Sequence, residues 1–165
     1  MKAAFIIAFS LLFSNQIFSQ NNCTCCTETH GQFEFWVGNW NVYDTLDNKV
    51  GENNVVHMQD RCLIQENWKS KNSTGTSYNY FDKNDSSWHQ LWVDNAGNVL
   101  KLKGEFDGTS MILKGDIQKT IDGLVFYHQI SWTPKIDGSV TQIWTMNDKN
   151  GRTLQTLFYG VYKEE

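Results

Sequence analysis

Proline occurs once in this 165-residue chain, at Pro134, and beyond residue 19 no apolar run approaches the length of about 20 residues that a membrane helix needs. Nor does residues 20–165 hold an apolar 3.6-residue period long enough to define a helix. Lys and Arg never cluster; Lys101 and Lys103 alternate with Leu100 and Leu102, as on an exposed strand face. The chain therefore lacks the basic stripe that a nucleic-acid backbone demands. There is no P-loop, no Gly-rich dinucleotide turn and no Gly-x-Ser-x-Gly, which argues against nucleotide and α/β-hydrolase chemistry. Repeats, low-complexity tracts and an internal domain boundary are missing too, so one domain is expected.

Present instead are aromatics, 14% of the chain with seven Trp, and Gly, Asn and Asp spaced evenly between apolar runs. Aromatic enrichment with frequent turn signals favours strands. The stretch Phe33 to Asp44, FEFWVGNWNVYD, sets the pattern: Trp36, Gly38, Trp40 and Val42 fall on alternate positions and share one face of an extended strand. Gly38 between two indoles signals a bend or a close approach. Ten strands follow at 8–12-residue spacing, near 38–45, 50–59, 62–70, 76–83, 88–94, 99–107, 109–118, 124–133, 140–148 and 152–162. Asp47-Asn48, Asn84-Asp85, Gly97, Asp107-Gly108, Asp122-Gly123, Asp137-Gly138 and Asn150-Gly151 supply turn chemistry between them. A hairpin-linked meander removes its two edges by closing, so an all-β, single up-and-down antiparallel barrel of about ten strands is expected for residues 32–165.

Lys2, the apolar run Ala3 to Phe13 and the small Ser19 read as an export signal spanning residues 1–19, cut before Gln20. Its removal takes away one of 14 basic residues and none of 18 acidic ones, leaving a net charge of −5. No membrane span is then expected, and the protein is expected outside the cytoplasm, secreted or periplasmic, where disulfides persist. The segment 20–31 carries Cys23, Cys25 and Cys26, and Cys62 lies further on. Four cysteines allow three full pairings. Adjacent Cys25 and Cys26 would need a strained bridge, so Cys62 is expected to tie down the segment through one of the three. Such a bridge closes a loop of about 40 residues and contributes about 3–4 kcal/mol in the chain-entropy model. A thiolate metal or redox site at Cys23, Cys25 and Cys26 is the alternative, disfavoured because zinc usually draws on two separated ligand pairs.

FEFWVGNW resembles the F-[DE]-F-W-[IV]-G-x-W opening of a family of small secreted bacterial proteins of unknown function, related in shape to the calycins, the lipocalin-like and fatty-acid-binding-like barrels. Cys62 to Trp68, Trp88 to Asp94 (WHQLWVD), Ile130 to Pro134 (ISWTP) and Gln142-Ile143-Trp144 are similar to that family's later landmarks. The resemblance implies a calycin-like barrel and carries over no catalytic residue.

Side-chain alternation places Trp40 with Val42; Cys62, Ile64, Glu66 and Trp68; Tyr78 with Tyr80; Trp88, Gln90 and Trp92; Phe126, His128, Ile130 and Trp132; Val140, Gln142, Trp144 and Met146; and Leu154, Thr156, Phe158 and Tyr162 on the aromatic faces. Each face is aromatic with a polar member near its middle, the composition of a ligand cavity. The expected function is binding of a small, largely apolar or aromatic molecule. Trp40, Trp68, Tyr80, Trp92, Trp132 and Trp144 would form walls, and Glu66, Gln90, His128 and Gln142 would orient the ligand. No cofactor is implied. The rival enzyme reading uses Glu66 and His128 as an acid/base pair for isomerisation or hydrolysis, since enclosure would bring both toward neutrality. His128 as a single haem ligand is a further alternative. His57 and His89 fall on the opposite parity and read as surface residues.

Overall fold

A computed structural model describes residues 23–165; the leader read at 1–19 lies outside them. The described chain opens with a one-turn helix α1 (Glu28–Gly31) and a 3-10 turn (Glu34–Trp36). Strands β1 (Gly38–Tyr43), β2 (Lys49–Met58), β3 (Leu63–Ser70), β4 (Thr74–Asp82), β5 (Ser87–Asp94), β6 (Val99–Phe106), β7 (Met111–Lys114), β8 (Gln118–Lys119), β9 (Val125–Pro134), β10 (Val140–Asn147) and β11 (Thr153–Glu164) follow. Successive strands pair antiparallel except that β7 pairs past β8 with β9, and β11 returns to pair with β1, as in Val42 opposite Tyr162. The result is a closed ten-strand antiparallel up-and-down barrel, the architecture expected from the alternating pattern.

The tenth position in the wall is shared. β7 pairs with β6 and with the second half of β9, whereas the two-residue β8 pairs only with the start of β9. One strand was expected over 109–118; the chain instead leaves the wall after Lys114. Since β7 meets β6 from Lys103 onward, residues 99–102 of β6 pair with β5 alone, and the wall parts there beside β8.

The turns explain why the hairpins form. Gly97, Gly108, Gly123, Gly138 and Gly151 all take φ between 82° and 94°, which costs a residue without Cβ nothing. Three turns at one end share an aspartate device: Asp44, Asp94 and Asp148 Oδ1 each accept backbone N–H bonds from residues two and four positions on. These bonds hold the three carboxyls below their usual pKa.

The opposite end is sealed by the N-terminal segment. Trp36 was read as part of the first extended run, but the chain there coils into the 3-10 turn. With three residues per turn, Phe33 and Trp36 project the same way. Both are fully buried, stacked with centroids 4.9 Å apart, and Phe33 meets Trp132 and Trp88 edge-on. Val42, Met111, Leu113 and Val140 belong to the same core. Complete burial of one such ring contributes about 4–6 kcal/mol of gross transfer energy. Trp40 folds back along β1 so that its Nε1 donates to Trp36 O at 2.9 Å. The close approach signalled by Gly38 is this indole, which would stand 3.2 Å from a Cβ there. Glu34 Oε2 clasps the turn to the wall, accepting from His57 Nε2 at 2.7 Å and Arg61 Nη2 at 2.8 Å.

Two disulfides lock the seal, Cys25 to Cys62 across 37 residues and Cys23 to Cys26. Cys62 does tie down the N-terminal segment. No described cysteine is free, so the thiolate metal site weighed from the sequence is replaced by two covalent bridges. Among the described residues no helix is long and apolar enough to cross a membrane.

Candidate functional site

Away from the seal the barrel encloses a cavity of about 750 Å³ that opens at the end bearing the turns after β3 and β5. That volume lies in the range of small-molecule sites. Trp68 from β3, Trp92 from β5 and Trp144 from β10 line it, with Leu100, Phe158 and Tyr162. Two inward glycines make room for two of the indoles. A Cβ on Gly51 would come within 2.4 Å of Trp68, and one on Gly75 within 2.2 Å of Trp92, so each ring lies against bare backbone of the neighbouring strand.

Beneath the indoles lies a connected polar floor. Glu66 is buried; its Oε1 accepts from Asn53 Nδ2 at 2.8 Å and its Oε2 from Ser77 Oγ at 2.6 Å. Asn79 Nδ2 donates to Ser77 Oγ and to Ile64 O, while Gln90 Nε2 donates to Asn79 Oδ1 at 2.9 Å. Burial pushes the Glu66 carboxyl up to about 7, against the opposing pull of the Ser77 and Asn53 hydrogen bonds. The group is therefore part protonated at neutral pH. Across the floor the Tyr162 hydroxyl donates to Gln142 Oε1, leaving the Gln142 amide hydrogens for other partners. Burial, then the nearby Glu66 charge, raises the Tyr162 pKa well above its ordinary value, so it remains a neutral donor.

Higher on the wall, Trp144 Nε1 donates to His128 Nδ1 at 3.1 Å. An indole only donates, so Nδ1 is the bare nitrogen and the proton sits on Nε2. Burial lowers the His128 pKa, keeping the ring neutral.

Of the ten residues expected to hold a ligand, Glu66, Trp68, Gln90, Trp92, His128, Gln142 and Trp144 all border this cavity. Three do not. Trp40 and Trp132 belong to the sealed end, Trp132 packed on Phe33 and Trp36 with no exposure. Tyr80 is outside the barrel, stacked on His89 at 5.3 Å, and Tyr78 is outside as well. The reason is register: Glu66 points inward and pairs with Ser77, so Ser77 and Asn79 are the inward residues of β4 and the tyrosines between them face out. Ser77 and Asn79 were missed because small polar residues alternating with tyrosines look like an outer face, and Asn53 because it stands in the polar run Glu52-Asn53-Asn54.

Outside the barrel, Asp82, Asp85 and His89 cluster closely enough to hold a cation. His89 Nε2 and Lys103 Nζ already contact the Asp85 carboxylate, and Asn84 Nδ2 donates to Asp82 Oδ1. No protein-family model matches the chain, and no curated protein matches it.

Proposed function

We propose that this protein is an extracytoplasmic binding barrel of calycin type that holds a small, largely apolar or aromatic molecule. The observation that carries the reading is the cavity of about 750 Å³ walled by Trp68, Trp92 and Trp144 and floored by Glu66, Gln90 and Gln142. Apolar walls with few convergent polar groups are how small-molecule sites combine affinity with orientation. Among the described residues nothing accepts from the Gln142 amide or from His128 Nε2–H, so each offers a hydrogen-bond donor to a ligand acceptor. Two disulfides support an oxidising compartment. The F-E-F-W-V-G-N-W opening supports kinship with the secreted calycin-like family.

The test is titration of tryptophan fluorescence with a panel of apolar and aromatic compounds, alongside native mass spectrometry of protein from its own source. The reading expects saturable quenching or a co-purified mass; silence in both overturns it. A second reading, favoured by the carboxyl near 7 at the cavity floor, makes Glu66 a general acid or base. It expects Glu66→Gln to abolish turnover of a bound compound without abolishing its binding.

A further inference from the structure

Every cavity-lining residue that carries charge is acidic. Glu66 lies at the floor and Asp94 at the rim; among the described residues neither Lys nor Arg borders the space, and His128 is held neutral with Nδ1 facing Trp144. Three indoles line the same space, and the face of an indole attracts a cation and repels an anion. The Glu66 carboxylate can accept about four hydrogen bonds. Asn53 and Ser77 use one position on each oxygen, leaving the rest unclaimed by the described residues. Both protein donors come from the flanking strands, Asn53 from β2 and Ser77 from β4, so the group is positioned without being neutralised by a basic side chain.

From this arrangement we infer that the ligand is an organic amine, bound as its ammonium ion with N–H groups directed at Glu66 and its apolar or aromatic body between Trp68, Trp92 and Trp144. The inference rests on the binding reading above and narrows it. An ammonium supplies donors that the carboxylate lacks and the positive charge that the cavity lacks. A fatty acid or other carboxylate would meet two acidic groups and no counter-charge, so the cavity selects against it. A quaternary ammonium would satisfy the indoles but leave the open positions on Glu66 unused, so an amine bearing hydrogens is favoured.

The experiment compares three probes of one size: 2-phenylethylamine, 2-phenylethanol and 3-phenylpropionate, titrated at pH 8 by calorimetry and tryptophan fluorescence. The amine is expected to bind at least tenfold more tightly than the alcohol, and the acid more weakly than either. In Glu66→Gln the amine-to-alcohol ratio is expected to fall to about one. The wild-type comparison stands alone should that variant fail to fold. Acid binding as tight as amine binding, or an amine advantage that survives Glu66→Gln, overturns the inference. Equal binding of all three leaves the apolar-cavity reading standing and removes the amine; no binding of any at millimolar concentration removes both.

Discussion

Trp144 and His128 face each other across neighbouring strands, the indole N–H donating to imidazole Nδ1 at 3.1 Å. That single bond fixes the tautomer, and it makes the cavity-facing histidine a donor rather than a base. Nitrogen-15 spectra should therefore show the Nε2–H form, titrating below 6.5 because burial disfavours the imidazolium. Trp144→Phe removes the donor to Nδ1 and admits water, and should move the titration back toward 6.5.

Glu66 makes stability depend on pH in an unusual direction. Its folded pKa of about 7 exceeds the ordinary 4.5, so between those values the native chain holds a proton that the unfolded chain has released. Stability from this group is present below pH 4.5, falls as pH rises through the window, and levels off above 7, a loss of about 3 kcal/mol. His128, with its lowered pKa, acts in the opposite sense below 6.5. The clean measurement is the difference between wild type and Glu66→Gln in urea unfolding at pH 5 and pH 8. Glu66→Gln should lose the descending component; identical pH profiles would refute the buried, raised carboxyl.

Gly75→Ala should act on the cavity rather than on the backbone. The new methyl would sit 2.2 Å from the Trp92 ring, which must swing into the cavity. A cost of about 1–3 kcal/mol is expected, as for overpacked cores. Gly51→Ala should do the same through Trp68. The shift of Trp92 or Trp68 fluorescence and loss of probe binding should accompany the change; unaltered binding would show that the indoles do not shape the site.

The two disulfides should contribute unequally. Cys25 to Cys62 closes 37 residues and Cys23 to Cys26 only three. In the chain-entropy model the long bridge contributes about 4 kcal/mol and the short one about 2. Paired Cys→Ser variants compared by denaturant midpoint test this, with the larger loss expected for Cys25 and Cys62.

Much of the barrel was legible because local signals agree. Gly97, Gly108, Gly123, Gly138 and Gly151 each occupy the left-handed turn position that their Asn and Asp neighbours announced. Trp68, Trp92 and Trp144 share their faces with Glu66, Gln90 and Gln142 by simple alternation, and all six border one cavity. Alternation failed where both faces of a strand are amphipathic. On β4 the tyrosines suggested the interior, whereas pairing with Glu66 assigned it to Ser77 and Asn79. It failed again at Trp36, since a three-residue coil and an extended pair differ in nothing that spacing reveals. Nor does alternation state depth along a strand, which separates Trp132 in the seal from His128 in the cavity on the same face of β9.

The plug of Phe33 and Trp36 has a kinetic consequence. On the binding reading proposed above, a vessel stoppered at its base would offer a guest no through-route, so whatever entered would retreat past the same lip. Residence time would then be governed by that lip, where Val99 and Leu157 stand and the wall parts beside β8. Tightening or loosening it would change how fast the guest leaves far more than how well it fits.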